Sequence, residues 1–302
     1  MSMNLRLMFF GLVLSGSMVI GVSAAWSAPG LLQQATRSGF WANDFPDGAM
    51  LIQHFYYYTS DEVWDGNGDK QKTQDTTIEA SYTRLIRAWH SGDDNQIQYI
   101  LEGIIPAYHV SIEESSKGVG DNFSVSGLGN PFIYGSVGWN NPSKTTHLQS
   151  FLLWQVPFGD DDLQKAGIIG NNHALMPGVA AQYRFGNIWV EGSMGYLYNF
   201  EDLDSDKKAR DVFEFSPIVT YRFTSSAKLW WIYLQGDYTK YMEGDDPQGN
   251  DLDDDGYSIS VTPGIGFQFR PNMNLDIKYA MDVDGENTLK GNAINARWFW
   301  FF

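Results

Sequence analysis

The chain has no cysteine, so neither a disulfide nor a lipidated N-terminal cysteine is available and its fold alone must hold it together. Past Val22 it has no apolar run long enough for a transmembrane helix. Positive charge is scarce: 20 Lys and Arg against 36 Asp and Glu leave a net charge of −16. That balance argues against nucleic acid or an anionic membrane surface as partner. Catalytic signatures are missing too, with no Gly-x-Ser-x-Gly, no His-Glu-x-x-His and no paired-carboxylate strand motif.

What is present points elsewhere. Arg6, an apolar stretch over 7–22 and the small residues Ser23, Ala24 and Ala25 form the order of a secretory signal peptide, assigned to 1–25. Mean hydropathy is −0.30, yet 15% of residues are aromatic and 31 are glycine. A transmembrane β-barrel has such a composition, because only alternate residues of each strand meet lipid and the hydropathy averages out.

From Asp47 onward the pattern predicts strands at 48–59, 75–89, 96–112, 128–140, 146–158, 173–185, 188–199, 211–223, 229–242, 257–270, 274–283 and 291–302. Their connections alternate. The odd ones (60–74, 113–127, 159–172, 200–210, 243–256, 284–290) are long and acidic, and the even ones, such as 186–187 and 271–273, are short. Short periplasmic turns and longer outer loops are the outer-membrane arrangement. The fold expected is therefore all-β, a transmembrane antiparallel barrel of about twelve strands over 47–302, preceded by a periplasmic segment at 26–46.

Alternation within strands fixes which residues face lipid. Leu275, Ile277, Tyr279 and Met281 share one face, and Asp276, Lys278, Ala280 and Asp282 the other; the reverse frame would put charges in lipid, at roughly 2–4 kcal/mol for a cation at the midplane. The Gly186-Asn187 turn pairs Phe185 with Ile188 outward and sets Arg184 diagonal to Glu191, both inward. The 271–273 turn is expected to pair Phe269 with Leu275 and Gln268 with Asp276. The first two strands give no clean frame, which suggests a bulge near Arg84. Pro106, Pro177, Pro217 and Pro263 fall inside strands and require bulges or bends.

Several stretches resemble a known family, the outer-membrane transporters associated with meta-cleavage phenol-degradation pathways. They are "FPDGAMLIQHFYYYTSDEVWDGNGDK" (45–70), "SGLGNPFIYGSVGW" (126–139), "WQVPFGDDD" (154–162), "QYRFG" (182–186) and the aromatic C-terminus. The resemblance implies an outer-membrane barrel that moves small, often hydrophobic or aromatic compounds. Competing readings are a phospholipase-like barrel hydrolase, with Ser, His and Asn on the outer wall, and a structural barrel that transports nothing. The five histidines (His54, His90, His109, His147, His173) do not form that family's arrangement and suit strand ends.

The candidate site is the lumen. Arg184, Arg222, Arg270 and Arg297 recur beside aromatics on descending strands, and parity turns all four inward near the periplasmic end, with Arg87 as a possible fifth. Glu79, Glu102, Glu191, Glu214, Asp237 and Asp276 are also assigned inward. Such a lining either selects solutes or braces the barrel through salt bridges. "DLDDDG" (251–256) begins like a calcium loop, but its twelfth position is Thr262, so Asp251, Asp253 and Asp255 form an incomplete set and neither metal nor cofactor is expected; "DGNGD" (65–69) has similar spacing. The partners expected are outer-membrane lipid and lipopolysaccharide, a small-molecule solute and, through Phe302, the barrel assembly machinery. In the terminal "RWFWFF", Trp298, Trp300 and Phe302 are assigned to lipid, and Phe299 and Phe301 to the lumen.

Overall fold

The structure, a computed structural model, describes residues 45–92, 95–113, 122–204, 208–225, 228–242, 244 and 255–302. The signal-peptide and periplasmic-segment assignments at 1–25 and 26–46 lie almost wholly outside the described residues, as do Asp251 and Asp253. Thirteen strands form one antiparallel sheet: β1 (Gly48–Trp64), β2 (Lys70–Ser91), β3 (Ile97–Glu113), β4 (Phe123–Leu128), β5 (Phe132–Asn140), β6 (Thr146–Gln155), β7 (Ala174–Phe185), β8 (Ile188–Asn199), β9 (Val212–Ser225), β10 (Lys228–Tyr241), β11 (Gly256–Arg270), β12 (Met273–Glu286) and β13 (Thr288–Phe301). β1 pairs with both β2 and β13, which closes the sheet. β4 and β5 pair with successive parts of β3, so together they make one stave and the barrel has the twelve that the alternation predicts. One short helix, α1 (Asp161–Lys165), sits in the connection from β6 to β7, where no helix is predicted.

The exterior is the apolar face. Phe55, Leu101, Val219, Ile277 and Ile294, from five different strands, are 42–57% exposed. A closed barrel with such a belt pairs its strands with one another and leaves its rings and aliphatic chains to lipid. The frames read for β9, β12 and β13 hold: Glu214, Ser216, Thr220, Asp276, Lys278, Asn295 and Arg297 are buried inward, and Trp298, Trp300 and Phe302 are exposed. Phe185 pairs with Ile188 across a turn where Gly186 takes φ 57°, as the Gly-Asn dipeptide predicts.

Other expectations need correction. The last turn pairs Phe267, not Phe269, with Leu275, and Gly266, not Gln268, with Asp276; the register is displaced by two residues, with an irregularity between Gln268 and Arg270. β1 and β2 pair without a break past Arg84, and their register shift lies at Ser60–Glu62. Several expected loops are strand: only 65–69 separates β1 from β2, and only Asn287 separates β12 from β13. Those hairpins continue outward beyond the lipid, where Lys72–Asp61 and Lys290–Glu62 ion pairs link strands.

The four prolines share one solution. Pro177, Pro217 and Pro263 each keep a partner on one side (Leu152, Gly192 and Leu234) while the opposite ladder lapses beside them. Pro106 keeps Tyr82 and lies where β3 passes from β5 to β4. Each missing N–H thus coincides with an interruption on one edge only, at the positions where bulges or bends are expected.

Inside, rings lie against neighbouring glycines. Trp231 faces Gly266 and Tyr233 faces Gly264 in register. A Cβ on Gly266 would come within 2.2 Å of the Trp231 ring, and one on Gly264 within 2.1 Å of Tyr233. The glycines let these rings lie along the wall instead of projecting across the lumen. Gly266→Ala should therefore destabilise the barrel by about 1–3 kcal/mol through overpacking. A lowered denaturant midpoint in lipid vesicles would show it. Gly192→Ala, whose Cβ would meet nothing within 4 Å, should leave the midpoint within about 0.5 kcal/mol of its starting value.

Candidate functional site: the barrel lumen

The lumen has two unlike halves because the strands that build it differ in sequence. β1 to β3 turn Ile52, Tyr56, Ile78, Tyr82, Ile86, Ile100 and Ile104 inward, and Phe132, Tyr134 and Leu153 from β5 and β6 extend the same apolar cluster. β8 to β13 turn in Glu191, Ser193, Thr220, Gln235, Asp237, Ser260, Asp276 and Asn295. One side of the passage is therefore aliphatic and aromatic, and the other is a lattice of amides, hydroxyls and charges.

The predicted acids are brought inward with two kinds of partner. Glu102 is buried against Arg84: Arg84 Nη2 donates to Oε2 at 2.9 Å and Nε bonds Oε1, a bidentate pair inside the apolar half. Asp276 Oδ1 accepts from Arg297 Nη2 at 2.7 Å, Arg297 Nε at 3.0 Å and the Tyr233 hydroxyl at 2.9 Å. The others are met by neutral donors. Asp237 accepts from Ser216 (2.6 Å), Gln235 (2.7 Å) and Ser260 (3.3 Å), and Glu191 accepts from Gln182 at 2.9 Å. Glu214 is buried on the same polar side. Glu79 does not belong to this set: it is exposed on the outer face of β2, whose inward residues are the even-numbered ones.

The four arginines do not form one ring. Arg222 and Arg184 gather on the indole of Trp189, with guanidinium carbons 3.2 and 5.2 Å from the ring centroid, at the periplasmic end of β7 to β9. Arg297 is spent on Asp276. Arg270 is exposed at the rim, in register with Met273 on the outer-facing side, because the irregularity after Gln268 reverses its face. Arg87 is likewise exposed on the outer face of β2. The inward arginine of that strand is Arg84, hidden from sequence reading because both faces of β2 carry apolar residues.

His54 also departs from expectation: it is fully buried in mid-lumen, 3.5 Å from Arg84 Nη1, and not at a strand end. Asp255, the described member of the acidic set, is ion-paired with Lys240 at 2.6 Å. In the outer turn, Asp65 Oδ1 accepts the backbone N–H groups of Asn67 and Asp69, which hold its carboxyl below the usual carboxylate range. Its spacing thus serves the turn. Among the described residues, no three His, Asp or Glu converge as a metal site.

Comparison with known proteins adds the following. The model of the family described as "Putative MetA-pathway of phenol degradation" matches residues 60–298. The crystal structure of the COG4313 outer membrane channel from Pseudomonas putida F1 superposes with a TM-score of 0.77 at 16% identity, covering 88% of this chain and 99% of that one. The β domain of the Bordetella autotransporter BrkA superposes with a TM-score of 0.55 at 9% identity, covering 85% and 100%. Among curated proteins none matches the chain. At such identities these likenesses establish the outer-membrane barrel fold.

Proposed function

Because the chain belongs to the MetA-pathway of phenol degradation family, and folds as an outer-membrane barrel, we propose that it is a channel for passive uptake of a small hydrophobic or aromatic molecule. The observation that carries this reading is the two-sided lumen. A passage for hydrophilic solutes needs polar walls all round, whereas here Ile52, Ile78, Ile104 and Phe132 line one half. An apolar ring or chain gains by leaving water along that half, at roughly 25 cal/mol per Å² of surface buried. The polar half holds whatever hydroxyl or charge the molecule carries. Twelve strands lie between the eight that side chains fill and the sixteen or more that leave an open aqueous channel. The structural relative from Pseudomonas putida is itself described as a channel.

Reconstitution into liposomes tests the reading. Purified protein should accelerate entry of small aromatic solutes such as phenol analogues well above the rate in protein-free vesicles, and Ile104→Asp, which charges the apolar half, should slow them. No flux, together with hydrolysis of phospholipid, would instead indicate the hydrolase reading. No flux and no hydrolysis would leave a structural barrel.

A further inference from the structure

A band of buried polar atoms crosses mid-lumen from β10 to β1, and one row of it is far better paired than the next. In the better-paired row, Asp276 lies opposite Arg297; its Oδ1 takes the bonds given above and its Oδ2 has no partner among the described residues. One step outward, Lys278 lies opposite Asn295. Lys278 is 2% exposed and Asn295 fully buried. The Lys278 Nζ and both amide atoms of Asn295 have no hydrogen-bond partner among the described residues. The register runs on to Tyr56, opposite Asn295 on β1, whose hydroxyl is also unpartnered. Thr262, on the lumen face of β11, has an unpartnered hydroxyl as well.

Buried polar atoms are normally paired, and a run of exceptions on adjacent strands calls for an occupant. Water can bridge amides and hydroxyls, but it does not neutralise a buried ammonium, which is costly without an anion. The carboxylates that act on Lys278 from nearby, Asp237 and Asp276, take their hydrogen bonds from Ser216, Gln235 and Ser260 and from Arg297 and Tyr233, and none of these bonds comes from Lys278. An anionic acceptor able to take several donors at once would meet the Lys278 ammonium, the Asn295 amide and the two hydroxyls together. A carboxylate has about four lone-pair sites on two oxygens and forms short charge-assisted bonds to an ammonium.

We propose that Lys278 and Asn295, supported by the hydroxyls of Tyr56 and Thr262, form a docking subsite for the carboxylate of a small aromatic acid. The aromatic part of such a guest would lie against the apolar half of the lumen, where Ile104, Phe132, Tyr134 and Leu153 are buried on the inner side of the wall. The subsite deepens the uptake reading and rests on it for the route by which the guest arrives.

Calorimetric titration of the purified full-length protein in lipid nanodiscs tests it, with benzoate as probe and benzyl alcohol as the uncharged control. Benzoate should bind saturably. Lys278→Met should weaken it by about tenfold or more, the scale of losing a hydrogen bond to a charged group, and leave benzyl alcohol unchanged. Asn295→Leu should weaken benzoate less, and Lys278→Arg should retain it; a heat-modifiable gel shift confirms that each variant is folded. Absence of saturable benzoate binding by the wild type, meaning that the band holds water only, would overturn the subsite. So would equal binding by Lys278→Met, or equal loss of benzyl alcohol. Lys278-dependent benzoate binding with no liposome flux of either compound would support the subsite while overturning the uptake reading.

Discussion

Replacing Glu102 by leucine should destabilise the folded barrel by about 3–5 kcal/mol, the scale found when one partner of a buried ion pair is removed and the other charge stays behind. The position is severe because Arg84 and Glu102 have side chains 3% and 0% exposed, and the surrounding wall is Ile52, Tyr82, Ile86 and Ile104. Glu191, Asp237 and Asp276 take their bonds on the polar half of the lumen, away from this pair. Removing both charges should cost far less. The double variant Arg84→Met, Glu102→Leu substitutes apolar groups of similar reach in an apolar wall, and such exchanges are often neutral or stabilising. Urea unfolding in lipid vesicles, run as a double-mutant cycle, reads the difference. If the single and double variants were equally destabilised, the pair would matter through packing and not through charge. The pair is also a charged brace between β2 and β3 within the apolar half of the wall.

How far the sequence revealed this lumen depended on which half was being read. On β9 and β12 the inward residues are polar and the outward ones apolar, so Glu214, Asp276 and Lys278 announce their face through the two-residue period. On β1 and β2 lipid and lumen are both apolar. Leu85 outward and Ile86 inward look alike, so the sequence reads Glu79 and Arg87 as inward although both are exposed outside, and does not mark Arg84 as a lumen residue. The period was intact; the contrast that reveals it was absent. Arg270 failed for another reason: a single irregularity after Gln268 reverses the face of everything beyond it, and no residue type there signals it. The contacts that make the site, Tyr233 to Asp276 to Arg297 and Arg84 to Glu102, join separate strands. They exist only once inter-strand register is set, which alternation within a strand does not determine. Loop lengths misled in the outer hairpins, where polar residues such as Lys72 and Glu62 read as loop although their backbones continue the ladder.

Deleting Phe302 should reduce the amount of folded barrel in the outer membrane severalfold, while the molecules that do assemble unfold at nearly the wild-type denaturant concentration. The asymmetry follows from how little the finished barrel asks of this residue. The Phe302 side chain is 67% exposed, its ring touches Trp300 at a centroid distance of 4.9 Å, and its N–H donates to the Ala49 carbonyl at 2.9 Å. One terminal hydrogen bond contributes about 1 kcal/mol, and the exposed ring contributes little packing to a wall already closed by Met50 opposite Phe301 and Leu51 opposite Trp300. Closure is the step at risk. β13 must find β1 across almost the whole length of the chain, and until it does both strands present open edges. An aromatic strand that the assembly machinery grips would hold β13 during that search, and Phe302 directly follows that strand. Quantifying the heat-modifiable band in outer-membrane fractions, beside urea unfolding of the purified variant, separates the two effects. Equal amounts of folded variant and wild type would show that Phe302 is not what the machinery grips. A large fall in the unfolding midpoint would show that its contacts with Ala49 and Trp300 hold the seam shut after assembly as well.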